Sequence, residues 1–64
     1  MPPSASTPHC LLESWDPQAK AWITDPTPHE SVAAAVRAAT ERSVYRVVLV
    51  ANGHMLEVET FAIA

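Results

Sequence analysis

The C-terminal part of the chain alternates apolar and polar residues around one turn signal. In "VYRVVLVANGHMLEVETF", Val44 to Phe61, two β-prone runs flank Asn52-Gly53. That dipeptide favours a two-residue type I′ turn and so fixes a hairpin register. The register predicts Leu49 opposite Leu56, Val47 opposite Val58 and Tyr45 opposite Thr60 on one face. On the other face it predicts Val50 opposite Met55, Val48 opposite Glu57, Arg46 opposite Glu59 and Val44 opposite Phe61, with Ile63 continuing the row. The first set suits a core. The second carries one ion pair, yet Val44, Val48, Val50, Met55, Phe61 and Ile63 are apolar as well. A half-buried sheet alternates apolar and polar, so this second face calls for a cover.

Upstream, "CLLESWDPQAKAWITD" places two β-prone runs around "DPQAKA". Asp16 followed by Pro17 suits a type I turn inside a longer hairpin loop. Symmetric closure of that loop sets Trp15 against Trp22 across the strands. Between the hairpins lies "TDPTPHESVAAAVRAATERS". Thr27-Pro28-His29-Glu30 reads as a capping box with Pro at the first helical position, which predicts a helix from Pro28 to about Arg42. Val32, Ala35, Val36 and Ala39 share its apolar stripe. Arg37 and Glu41 sit at i and i+4 on the solvent side.

The element order is strand, strand, helix, strand, strand. It predicts an α+β two-layer sandwich in which one helix packs on a four-stranded, mainly antiparallel sheet. The third strand, apolar on both faces, reads as central or as an interface strand. The strand order stays open. Three of the six prolines fall in the first eight residues, so residues 1–8 read as a flexible tail and 9–64 as a single domain.

Composition narrows the function classes. A chain of 64 residues buries a modest share of its surface, and oligomerisation is a common remedy. Four Lys and Arg against seven Asp and Glu give a net charge of −3. That disfavours nucleic acid as a partner, since a phosphate backbone calls for a basic patch. No apolar run reaches the roughly 18 residues of a membrane helix, and the N-terminus lacks the pattern of a secretory signal. The expected setting is soluble and cytoplasmic.

Candidate chemistry is sparse. His9, Cys10, His29 and His54 are the metal-capable side chains, but they lack the spacing of a zinc site, and no metal site or cofactor is expected. Cys10, expected at the start of an edge strand, has no neighbouring cation to lower its pKa. Glu13, Asp16, Asp25, Glu57 and Glu59 offer carboxylates. Of these, Glu57 and Glu59 fall on one strand face, with Arg46 opposite Glu59. There is no phosphate-binding loop and no nucleophile motif, and so small a chain leaves little room for a pocket. No catalytic residue is assigned.

The segment "WDPQAKAW" resembles the aromatic-flanked hairpin loop of streptococcal immunoglobulin-binding domains, which share this element order. "LLESWDPQAKAWIT" resembles the first hairpin of HicB-type antitoxins, without the glycines and the Pro-Gly-Cys element that follow there. Neither resemblance carries a functional residue over. The residues themselves lead to a small, non-enzymatic protein-interaction module, a homodimer or a binder of a protein partner. Its expected interface is Val44, Val48, Val50, Met55, Phe61 and Ile63, and its expected role that of a regulator or accessory subunit. Two alternatives belong to other classes. One is a nucleic-acid-binding regulator that gathers Lys20, Arg37, Arg42 and Arg46 by symmetry. The other is a ligand-binding or enzymatic site between subunits.

Overall fold

The computed structural model describes residues 7–64, and most of the expected tail lies outside that range. Strands β1 (His9–Asp16) and β2 (Ala21–Thr24) form the first hairpin, α1 (Val32–Ala38) follows, and β3 (Ser43–Ala51) and β4 (His54–Ile63) form the second. All strand pairs are antiparallel, in the order β2-β1-β3-β4. The α+β fold expected from the sequence is present, and β3 is interior. So is β1, which corrects the edge position expected for Cys10. Its second edge is closed by β2 and then by the chain that follows. The Asp25 amide donates to the Leu12 carbonyl at 2.9 Å, and Cys10 and His29 exchange backbone bonds of 2.7 and 2.8 Å.

Those edge bonds explain why the helix is shorter than its pattern predicts. His29 is bridged to Cys10 on β1, and the Asp25 carboxylate takes the Thr27 amide at 2.9 Å, so Thr27 caps nothing. Ser31 is the N-cap instead, its hydroxyl accepting from the Ala34 amide at 3.1 Å. At the other end, the Tyr45 hydroxyl donates to the Glu41 carbonyl at 2.8 Å and accepts from the Glu41 amide at 3.2 Å. Glu41 thus lies outside the helix, and the expected Arg37–Glu41 pair does not form. The Arg37 Nε instead lies 3.5 Å from the Ala33 carbonyl oxygen. Ser31→Ala is therefore expected to cost about 1 kcal/mol, and Thr27→Ala far less. Urea unfolding of the two variants separates the two capping schemes.

The apolar stripe is the one the wheel predicts. Ala35 and Ala39 are buried with Cys10, Leu12, Tyr45 and Val47, while Val32 and Val36 pack around them. Small residues let α1 lie close on β1 and β3. A helix is about 10 Å across and strands are about 4.8 Å apart, so one helix covers about two strands.

The second hairpin keeps its predicted register only near the turn. Leu49 pairs with Leu56, Val50 with Met55 and Val48 with Glu57. Asn52 and Gly53 both take positive φ, 53° and 77°, as a type I′ turn requires. The register then slips between Val47 and Val48, and Val47 faces Glu59. An extra residue on one strand is a β-bulge, and it inverts every side chain beyond it. Phe61 moves under the helix layer and stacks on Tyr45, with ring centroids 5.4 Å apart. Ile63 joins the same side. Covering two large side chains outweighs one lost ladder position.

Candidate interaction surface

The bulge divides the six residues expected to form one interface. Val44, Val48, Val50 and Met55 share the outer face, away from the helix. Phe61 and Ile63 pack against the core on the opposite face, so the expected single patch is corrected at these two positions. Val48 is also no longer free. It is 4% exposed, between Leu11 and Glu57, its partners on the flanking strands.

A polar belt crosses the middle of the outer face. Glu13 on β1 is 4% exposed. Its carboxylate accepts from the Arg46 Nε and from the Thr24 hydroxyl, each at 2.5 Å. Arg46 also lies 3.6 Å from the Glu57 carboxylate, which accepts from the Thr60 hydroxyl at 3.1 Å. The guanidinium sits 4.4 Å from the Trp22 ring centroid, a cation–π distance, and Trp15 meets Trp22 edge-to-face at 5.4 Å. Burial pushes the Glu13 carboxyl up. The Thr24 bond, the Arg46 bond and the Arg46 charge together outweigh it and hold the group below its ordinary value.

This arrangement corrects the expected Arg46–Glu59 pair. The bulge sets Thr60 opposite Arg46 and sends Glu59 to the helix side, so Glu57 and Glu59 do not share a face. A belt of this kind is structural chemistry: it closes the middle of the outer face without another layer. Trp15 and Trp22 pack on each other, and the guanidinium lies over Trp22.

The exposed large apolar side chains are Ile23 on β2, Val44 on β3 and three on β4. Met55 is 60%, Leu56 63% and Val58 45% exposed. Met55 belongs to the outer face with Val50 and Leu11, which are half-buried. Leu56 belongs to the helix face beside Leu49. Sequence reasoning missed Leu56 because its cross-strand pairing with Leu49 marked it as core. The missing signal was the length of the helix.

The metal-capable side chains are not gathered. The backbone pairing sets Cys10 against His29, whose ring Nε2 is enclosed without a hydrogen-bond partner. His9 lies beside the Thr7 carbonyl, and His54 follows the turn. Among the described residues no three His, Cys, Asp or Glu side chains converge as metal ligands. No helix among them is long and apolar enough to cross a membrane. An open cleft of about 810 Å³, larger than so small a chain leads one to expect, lies between β2 and the loop after α1. Leu12, Ile23, Asp25, Glu41 and Tyr45 are among the residues lining it, and the Tyr45 hydroxyl there is already engaged by Glu41. No family model, curated protein or solved structure matches the chain.

Proposed function

We propose that this protein is a non-catalytic interaction module that forms a homodimer through the outer face of its sheet at the β3–β4 turn end. The observation that carries the reading is Met55, 60% exposed and opposite the half-buried Val50, on a face that also carries Leu11 and whose middle is closed by the Glu13–Arg46–Glu57 belt. The small core supports it. Among the described residues the one large side chain fully buried is that of Val47, and a domain of this size gains from covering more apolar surface. Sheets packed face to face with nearly aligned strands interdigitate such side chains. The reading is of a regulator or accessory subunit whose work is binding. A buried, unpaired Cys10 suits a reducing compartment.

Pairing through the β4 edge is the weaker geometry for self-association. A bulge in an edge strand blunts strand addition, and two β4 strands paired about their middle bring Glu57 and Glu59 of each copy together. The nucleic-acid alternative loses support as well, because Arg46 is committed to Glu13 and Glu57.

Light scattering on a sizing column, across a hundredfold dilution, tests the proposal. The expected mass is twice 6.9 kDa at the concentrated end. Met55→Asp is expected to give a folded monomer there, with an unchanged circular dichroism spectrum. A wild-type monomer at every concentration would sink the reading.

A further inference from the structure

The helix layer is shorter than the sheet beneath it. At seven residues, α1 spans about 10 Å. At eight residues, β1 spans about 26 Å. Past the end of α1 the sheet has no second layer, and the open cleft between β2 and the loop after α1 occupies that place. Leu12, Ser14 and Tyr45 are its floor. Ile23 shares their face, because the ladders set Ser14 against both Ile23 and Tyr45. Ile23 is 51% exposed there, an apolar anchor that nothing in the fold covers. The volume of about 810 Å³ lies within the range of small-molecule sites.

Hydrogen bonds fix both walls. On one side the Asp25 amide donates to the Leu12 carbonyl at 2.9 Å, and the Asp25 carboxylate accepts from the Thr27 amide at 2.9 Å. On the other, the two bonds between the Tyr45 hydroxyl and the Glu41 backbone tie the loop to the floor. Those two bonds use the Glu41 amide and carbonyl and leave its carboxylate free.

The walls carry charges of both signs. Asp25 lines the cleft from the β2 side, and Glu41 and Arg42 line it from the loop. The Thr27 amide holds the Asp25 carboxyl below its ordinary value. Among the described residues the ion pairs are those of Arg46 with Glu13 and Glu57, so Glu41 and Arg42 are both unpaired. A purely apolar molecule leaves these groups unused. A simple anion meets two carboxylates, and a simple amine leaves the guanidinium unmatched. A zwitterion with an apolar body matches the floor and both signs of charge.

We infer that the cleft binds a free α-amino acid with a large apolar side chain. The side chain covers Ile23 on the floor, the ammonium group meets the carboxylates of Asp25 and Glu41, and the ligand carboxylate meets the Arg42 guanidinium. The cleft lies on the helix face, away from the surface assigned to the dimer, so each copy carries its own site.

The test is a titration of the full, isotope-labelled chain with L-phenylalanine and with two analogues that each lack one charge, phenethylamine and 3-phenylpropionate. L-Phenylalanine is expected to shift the amides of Ile23, Asp25 and Glu41. It should bind roughly tenfold more tightly than either analogue, the loss expected when one hydrogen-bonded charge is removed. Glu41→Gln is expected to narrow the advantage over 3-phenylpropionate, and Arg42→Gln the advantage over phenethylamine. Both positions are exposed, so the variants keep the fold. Equal binding of L-phenylalanine and its analogues would overturn the inference. So would shifts centred on the outer face around Val50, or no shift at about 10 mM ligand. Met55 is on the other face, so the titration reads alike on Met55→Asp and on the wild type, and its outcome is separate from that of the dimer.

Discussion

Arg46→Met is expected to destabilise the protein by about 3 kcal/mol at neutral pH, and to reverse the sign of the Glu13 contribution to the pH dependence of its stability. The magnitude follows from leaving Glu13, 4% exposed, with a buried charge and no cation, which typically costs 3–5 kcal/mol. The low end applies because the Arg46 side chain keeps 26% of its surface in water. A domain of this size holds about 3–10 kcal/mol in all, so much of its stability rests on the one contact. In the wild type the Glu13 carboxyl is held below its unfolded value of about 4.5. A depressed value contributes stability that is present above the unfolded pKa and lost as pH falls through the folded one. Without Arg46, burial remains and is opposed by Thr24 alone. Burial is the largest single influence on this carboxyl, so its folded value moves above the unfolded one. The contribution is then complete below the unfolded value and lost as pH rises. Urea unfolding between about pH 4 and 7 should show wild-type stability rising with pH and the gap between wild type and Arg46→Met widening. The double variant Glu13→Leu, Arg46→Met should recover most of the loss, since an apolar pair can replace a buried ionic one. Parallel pH slopes in the wild type and the single variant would refute this account of the belt.

Ala35→Leu is expected to cost about 1–3 kcal/mol, the usual range for overpacking a filled core. Ala35 is wholly buried, in a helix of seven residues that lies close to β1 and β3. Added methylenes must lift the helix or force strained rotamers. Ala33→Leu, on the exposed side, should change stability by less than about 0.5 kcal/mol. In a domain this small each kcal/mol moves Tm by about 4–8 °C, so thermal melts resolve the pair. Similar melting shifts for both variants would mean that the small residues do not set the helix–sheet distance.

The parts of this architecture governed by short-range chemistry were legible in the residues. Asp16-Pro17 and Asn52-Gly53 specify their turns locally, and the pairing of Trp15 with Trp22 follows from loop length alone. The buried stripe of α1 follows from its period. What escaped was decided between distant segments. Thr27 and Ser31 are rival caps, and the choice fell to Ser31 because His29 is held to Cys10 from another strand. The register past Val47 was settled by the ring of Phe61 finding Tyr45, a gain that no pattern within the hairpin displays. Glu13 and Arg46 stand 33 residues apart, so their bond, and with it the belt across the outer face, depended on a strand order the sequence left open.

The strand order also bears on how the chain reaches this structure. Each hairpin is local and can form within about 1–10 µs, yet a lone hairpin is marginal in water. The β1–β3 ladder joins them, pairing His9–Ser14 with Tyr45–Val50, and it closes only after the segment bearing α1 has brought its ends together. That closure carries the entropy of a long loop, so the barrier to folding belongs to the seam. Changes at Glu13, Arg46 or Val47, which line it, are expected to slow folding, whereas changes at the outlying Met55 or Leu56 are expected to act mainly on the unfolding rate.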